Sequence, residues 1–482
     1  MNSAVIMSCY LLLTMGVGIY LSRSNKSTET FFVAKKGLGV GLIVPLLFAE
    51  LIAGAGTIGN AEMAFRTGLS SVWAQWGMAA GCILFVIFVS RFYWIMGDKQ
   101  GVMSVPEAFG KRFDERTRLA IMMIISLAYS LIYSTQPVSA AAILAPMFNI
   151  SVNTTAWVVA VVIIIITITG GLKGAAYLSI IHSFVMYFGM FLTAAIVLRH
   201  VGGYQVIRQE LPNEMFHLLE PGIFTVIAWI LGTAFSFFTA STVVAVTFGA
   251  KSLKSANRGI VLGAFLIIPF ALSPALIGLA ARAQMPHILA KNALFEIASS
   301  VSNEVAGMAS MGVIAAILST APVMLLITVT TLTRDLYKGI IKPQATDQEQ
   351  MRFSQVAIIG IGLAGTYFGL QSTSILGQLL GALQIRSIAG VVLVISLLWP
   401  RVSNTAVFYS IITGGVLAAG WHFAGSPFGI EPLWPSLIVG IPLLVVLSLC
   451  SSEKVSAEYK NYHALSVKAV EDENQTMINQ SI

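Results

Sequence analysis

Glu50 lies inside the apolar run LFAELIAGAGTIGNAEMAFR, residues 47–66, and three glycines, Gly54, Gly56 and Gly59, follow it. An ionised carboxylate in hydrocarbon costs several kcal/mol, so Glu50 must be paired, protonated or in contact with water. The glycines give the same segment the means to break as a helix, or else to pack closely against a neighbour. A second stretch, MGVIAAILSTAPVMLLITVTTLTRDLYKG from residue 311, places Ser319 and Thr320 just before Pro322. The proline removes a backbone donor and crowds a carbonyl near Leu318. Hydroxyls three and four residues after Ala316 share one helix face with its carbonyl. Neutral oxygens grouped this way suit a hard alkali cation; the rival reading is that the hydroxyls bond only to their own backbone. Arg386, in GALQIRSIAGVV, is the other costly charge. Its planar fork suits a carboxylate, belonging either to a substrate or to Glu50. The alternatives are a structural pair, or a side chain reaching out to the interface.

The elements that must position these residues are membrane helices. Of the 482 residues, 56% are hydrophobic and only 10% are charged, where a soluble domain carries about a quarter charged. Mean hydropathy is +0.84. Apolar runs long enough to cross a ~30 Å hydrocarbon core recur throughout, and a β-barrel is excluded because its spans would be ~10-residue alternating segments. Thirteen candidate spans are read at 4–22, 41–67, 72–96, 118–147, 152–170, 174–198, 223–249, 259–285, 304–334, 353–373, 376–399, 405–425 and 432–450. The opening residues lack a basic n-region and a clear cleavage site, so they read as a retained first span.

The net charge of +7 comes from basic residues scattered among short loops. That excludes a nucleic-acid face. It places most Lys and Arg on one side, with the N-terminus outside and the C-terminus cytoplasmic. Cys9, Cys82 and Cys450 are far apart and form neither a metal motif nor a disulfide framework. The tail at 451–482 reads as a flexible cytoplasmic end. Glu62 and Arg66 read as an i, i+4 surface pair. No HExxH, no GxSxG and no paired intramembrane aspartates point to an enzyme.

Four stretches give the chain a resemblance to the sodium:solute symporter family of sodium-coupled sugar, proline and pantothenate carriers. They are FFVAKKGLGVGLIVPLLFAELIAGAGTIG, GGLKGAAYLSIIHSF, FGAKSLKSANRG and, most specific, LSTAPVMLLITVTTLTRDLYK. The resemblance covers about residues 1–450. It implies an all-α polytopic protein with the inverted five-helix repeat of the leucine-transporter fold. A first span and loop would occupy 1–40, the first repeat (spans 2–6) 41–198, the second (spans 7–11) 223–399, and spans 12–13 residues 400–450. Spans 2 and 7 would be the interrupted pair. Span 7 offers Gly232 and the polar run Thr233, Ser236, Thr239, Ser241 and Thr242.

The resemblance further implies a sodium site made by the carbonyls of Ala49, Ile52 and Ala316 and the hydroxyls of Ser319 and Thr320. Substrate contacts are expected at Gly56, Gln75, Thr239, Ser241, Arg386 and Glu50, with Trp73 and Trp76 as interfacial anchors. Relatives use an acidic residue in the sixth span, thought to help sodium leave inward, with a Gln three positions later. This chain has Ser179 and His182 there, and Ala245 and Val246 where relatives carry a Gln-Arg pair. The expected function is sodium-coupled symport of a small organic solute, carboxylate-bearing or an amino acid. It would be performed by a monomer in a bacterial cytoplasmic membrane, with sodium as co-substrate. The alternatives are a proton-coupled symporter with Glu50 titrating, and a membrane sensor on the same scaffold.

Overall fold

The computed structural model describes Tyr10, Gly16, residues 37–452 and residues 455–467, without the side chains of residues 169–177. Among these, ten helices are long and apolar enough to cross a membrane; Val40–Phe88 is counted once although it carries two of the expected spans, and Val152–Ile168 is a shorter apolar helix. The expected first span lies outside the described residues, apart from Tyr10 and Gly16. Every other expected span coincides with helix.

The second span is α1 (Val40–Gly54), a π-helical turn (Ala55–Gly59) and α2 (Asn60–Thr67). Its break falls at Ala53, with φ 51° and ψ −174°, rather than at a glycine. An L-residue with positive φ costs roughly 1–2 kcal/mol, so neighbours must hold it there. At Gly54 a Cβ would sit 2.6 Å from that of Ser139, so only glycine admits this approach. Gly59 packs against Ile375 and Leu376 instead of contributing to the break. The chain then turns at Gly68 (φ 73°) into α3 (Trp73–Phe88), which kinks at Val89 into α4 (Ser90–Gln100).

A short helix, α5 (Val105–Arg112), leads to the long α6 (Glu115–Phe148). Helical backbone then runs from Val152 to His200 as α7, in place of separate spans at 152–170 and 174–198. An unbroken helix of that length would extend about 74 Å, and its two apolar parts pack differently. Ile164 lies against Gly362, whereas the Ser183 hydroxyl reaches the Pro45 carbonyl (2.6 Å) and Met190 meets Gly312. The boundary expected between 170 and 174 falls among the residues whose side chains are outside the description.

The seventh span is also interrupted, as α8 (Ile223–Phe237) and α9 (Ser241–Gly249) with non-helical chain between them. Gly232 is not the breaking residue; it makes room for Gln384, whose Cγ a Cβ would meet at 2.6 Å. The eighth span is α10 (Leu253–Phe270) with α11 (Leu272–Gln284). The ninth is α12 (Asn303–Thr331), followed by a π-helical segment, Leu332–Ile341. Helix continues through Pro322. The remaining spans are α13 (Asp347–Leu370), α14 (Ile375–Leu398), α15 (Asn404–Phe423) and α16 (Leu433–Cys450). The central α12 packs against α7, α6 and α1, and α14 packs against α8 and α6.

Two expectations of inert surface are corrected. Glu62 is fully buried: one oxygen takes the Arg66 guanidinium (3.2 Å), the other the Ile375 backbone N–H (3.0 Å) at the start of α14. The tail forms helix at 457–467. Tyr459 there covers the buried Arg112 (4.9 Å from guanidinium to ring centroid), which donates to the Ser396 carbonyl at 2.8 Å. Burial pulls the Arg112 guanidinium down to about 10.

Candidate functional site

The break in α1 frees backbone groups that water would satisfy in a soluble protein. In a membrane, side chains must do so. The Gly54 N–H donates to Gln136 Oε1 of α6 at 3.0 Å. Thr57 Oγ1 donates to the Gly54 carbonyl (3.0 Å) and to that of Ala53 (3.3 Å). Gln75 Nε2 donates to the Gly56 carbonyl at 2.6 Å. With these bonds made, the last turn of α1 is held against α12.

There the two hydroxyls foreseen from the sequence meet the interrupted helix. Ser319 Oγ and Thr320 Oγ1 each lie 2.8 Å from the Ala316 carbonyl, at the i, i+3 and i, i+4 spacings of their own helix. Each also reaches the Ala49 carbonyl, at 3.3 and 3.1 Å, and the two hydroxyls are 3.3 Å apart. Own-backbone bonding and convergence with α1 are therefore both present. Ser319 and Thr320 are buried, and the four oxygens carry no formal charge. The Ile52 carbonyl, the fifth expected oxygen, receives the Ala55 backbone N–H.

The residues expected to touch substrate divide into three places. Arg386 is 2% exposed. Its Nε donates to Ser236 Oγ at 2.9 Å and its guanidinium carbon lies 4.8 Å from the Tyr129 ring centroid, while Nη1 has no hydrogen-bond partner. Ser236 is in the last turn of α8, and Thr239 donates to its carbonyl at 3.3 Å. Arg386 is thus anchored beside the break between α8 and α9. Glu50 is elsewhere and does not pair with it. Glu50 is 4% exposed, its Oε1 has no partner, and it lines a cavity of about 90 Å³ together with Ser241. Gln75 and Gly56 form the third group, joined to each other; Gln75 is buried, with Oε1 unpartnered. Trp73 and Trp76, read as interfacial anchors, donate to the carbonyls of Leu218 (2.8 Å) and Ile268 (3.0 Å).

Sequence reasoning missed Gln136, whose signal was a mid-span amide in the run YSTQPVSA, and Tyr129, two turns earlier on the same helical face. It also missed Glu431. This residue accepts from Trp229 Nε1 (2.9 Å) and Gln384 Nε2 (2.8 Å), linking α8 to α14 from the loop before α16. Glu431 lines a second cavity of about 500 Å³ with His422, Gln378 and Ser374.

The sequence pattern of the sodium:solute symporter family matches residues 31–414. The osmoregulated proline transporter OpuE of Bacillus subtilis (strain 168) is 22% identical over 476 residues, covering 94% of this chain and 95% of that protein. The sodium/proline symporter of Escherichia coli (strain K12) is 23% identical over 92% of each chain. A sodium/glucose cotransporter of Vibrio parahaemolyticus is 24% identical, covering 74% of this chain and 72% of its own. Among solved structures, a substrate-bound, outward-open Na+-coupled sialic acid symporter superposes with a TM-score of 0.75 at 18% identity, over 94% of this chain and 99% of that one. MHP1, a nucleobase-cation-symport-1 family transporter in a closed conformation, gives 0.60 at 15% identity, over 91% and 99%. These structural likenesses bear on fold, which is the leucine-transporter fold of an all-helical polytopic membrane protein.

Proposed function

Because the chain belongs to the sodium:solute symporter family, we propose that it imports a small organic solute by coupling it to sodium entry, and that the ion binds between α1 and α12. The observation that carries this reading is the meeting of Ser319, Thr320, Ala316 and Ala49 oxygens from two elements, one of them interrupted at that level. A monovalent cation there would turn the two hydroxyls from donors into ligands and draw on both carbonyls, with the Ile52 carbonyl as fifth oxygen. Neutral oxygens in this number suit an ion of single charge. Such an ion ties α1 to α12, so it favours whichever state holds them together, by as much as its affinity for the two states differs. Substrate then closes the site and the downhill entry of sodium supplies the work.

The solute in this reading bears a carboxylate. Arg386 Nη1 is a buried donor without a partner beside the break in span 7, where Thr239 and Ser236 add hydroxyls. Three relatives, OpuE and the Bacillus and Escherichia coli proline carriers, are named for proline, whose carboxylate fits such a donor. The two halves, 41–198 and 223–399, act as the inverted repeats. The path lies within one chain, whose N-terminus faces out and whose C-terminus faces the cytoplasm. A second reading, coupling to protons, draws on the unpartnered Glu50 Oε1.

A thermal-shift screen of amino acids and small carboxylic acids, run in sodium chloride and in choline chloride, tests the proposal. A ligand whose stabilisation grows with sodium supports it. Stabilisation that is the same in choline, and that follows pH instead, overturns sodium coupling in favour of the proton.

A further inference from the structure

The cavity holding Glu50 is separate from the groups around Arg386. Its lining has an order. On α12 it takes Val323, Ile327 and Thr330, which continue the helical face of Ser319 one, two and three turns further along. On α1 it takes Leu46 and Glu50, one turn apart and next to Ala49 in the chain. On α9 it takes Ser241 and Thr242, the residues that resume helix after the break in span 7. The cavity therefore begins beside the Ser319–Thr320 cluster and leads toward Thr331 and Met103, the end where the basic loops lie.

Most of this lining is apolar, and among the described residues Glu50 is the one charged side chain in it. The carboxylate is almost fully buried and its Oε1 meets no donor. The first turn of α9 opens on the same space and brings the Ser241 and Thr242 side chains to it. A carboxylate left without a bonded partner in a low-dielectric space gains most from a cation beside it, which favours its ionised form.

We infer that Glu50, with the hydroxyls of Ser241, Thr242 and Thr330, forms a second and transient station for the coupling cation, occupied as the ion leaves the Ser319–Thr320 cluster for the cytoplasm. The inference rests on the sodium reading for the identity of the ion. The station binds a monovalent cation beside a single carboxylate, and the ion passes on because no second charge holds it.

The test reads the cavity directly and needs no solute. Ile327, half-buried in the lining, is replaced by Cys in a full-length chain whose own Cys9, Cys82 and Cys450 are changed to Ala. The purified protein is treated with positively and negatively charged methanethiosulfonates of equal length, in sodium chloride or choline chloride. With each rate divided by that reagent's rate with a free small thiol, the cationic reagent is expected to react about tenfold faster than the anionic one, as an oriented charge in a cleft focuses cations, and sodium is expected to slow it where choline does not. Glu50→Gln removes both effects and Glu50→Asp keeps them. Thr320→Ala, which disables the first site, leaves the charge preference intact, so failure of the first site is distinguishable from failure of the station. Equal rates for the two reagents in the Ile327→Cys protein overturn the inference without any need for the Glu50 variants. A preference that persists in Glu50→Gln, or that disappears in Thr320→Ala, overturns it as well.

Discussion

Thr320 and Ser319 differ by one methyl group, yet both place an oxygen on the same two carbonyls, Ala316 and Ala49. Their type and spacing were legible because each feature is local: two hydroxyls at i+3 and i+4 fall on one helix face whatever packs against it. Ala49 came from the resemblance, and α1 does bring its carbonyl to them. Arg386 was legible as a costly charge, but its partners were not, since Ser236 and Tyr129 come from spans 150 and more than 200 residues earlier in the chain. Substituting Arg386→Lys keeps the charge but loses the Nε bond to Ser236 and the flat packing on Tyr129. We expect sodium-driven uptake of the cognate solute to fall by about tenfold or more, the equivalent of one charge-assisted hydrogen bond at roughly 1.5–3 kcal/mol, with sodium binding in the absence of solute unchanged. Undiminished uptake would remove Arg386 from recognition.

At the scale of the element, the glycines of span 2 announced a break but not its hinge. The strained residue is Ala53, and what holds it is an amide 82 residues away, Gln136, which takes the Gly54 N–H. No local pattern carries such a partnership. Pro322 is a local fact of another kind: its missing donor was legible, and α12 runs through it as one helix. Gln136→Leu preserves size and removes the acceptor. The orphaned N–H should cost about 1–3 kcal/mol, read as a lower melting temperature in detergent. Sodium affinity should fall as well, because Ala49 sits in the turn just before the break. A loss of stability with unchanged sodium affinity would show that the break does not position the ion's ligands.

On the scale of the whole molecule, sequence periodicity and length recovered the spans because each must independently cross the same ~30 Å. Charges that join spans escaped it, Glu62 and Glu431 in particular. Glu62 reads from the sequence as a surface acid and Glu431 drew no reading, since burial near a span's end is decided by the assembled helices. Glu431 ties α8 to α14 through Trp229 and Gln384. Burial raises its carboxyl above the ordinary carboxylate value, against the lowering pull of those two donors. A carboxyl raised in the folded state takes up a proton on folding, so its contribution is full below the unfolded value, about 4.3, and is lost as pH climbs through the raised value. Melting temperature measured from pH 4 upward should therefore fall more steeply in the wild type than in Glu431→Gln, which cannot ionise. Parallel curves would place Glu431 outside the pH response.

The central claim is that one sodium ion is held by oxygens of α1 and α12 together. Equilibrium binding of radioactive sodium to the purified full-length protein, without solute, tests it most directly. The account predicts saturable binding in the wild type whose affinity falls by about tenfold or more in the Ser319→Ala, Thr320→Ala double variant, leaving only the weak Glu50 station, while the melting temperature in choline chloride is preserved. Saturable binding of undiminished affinity in that double variant would contradict it.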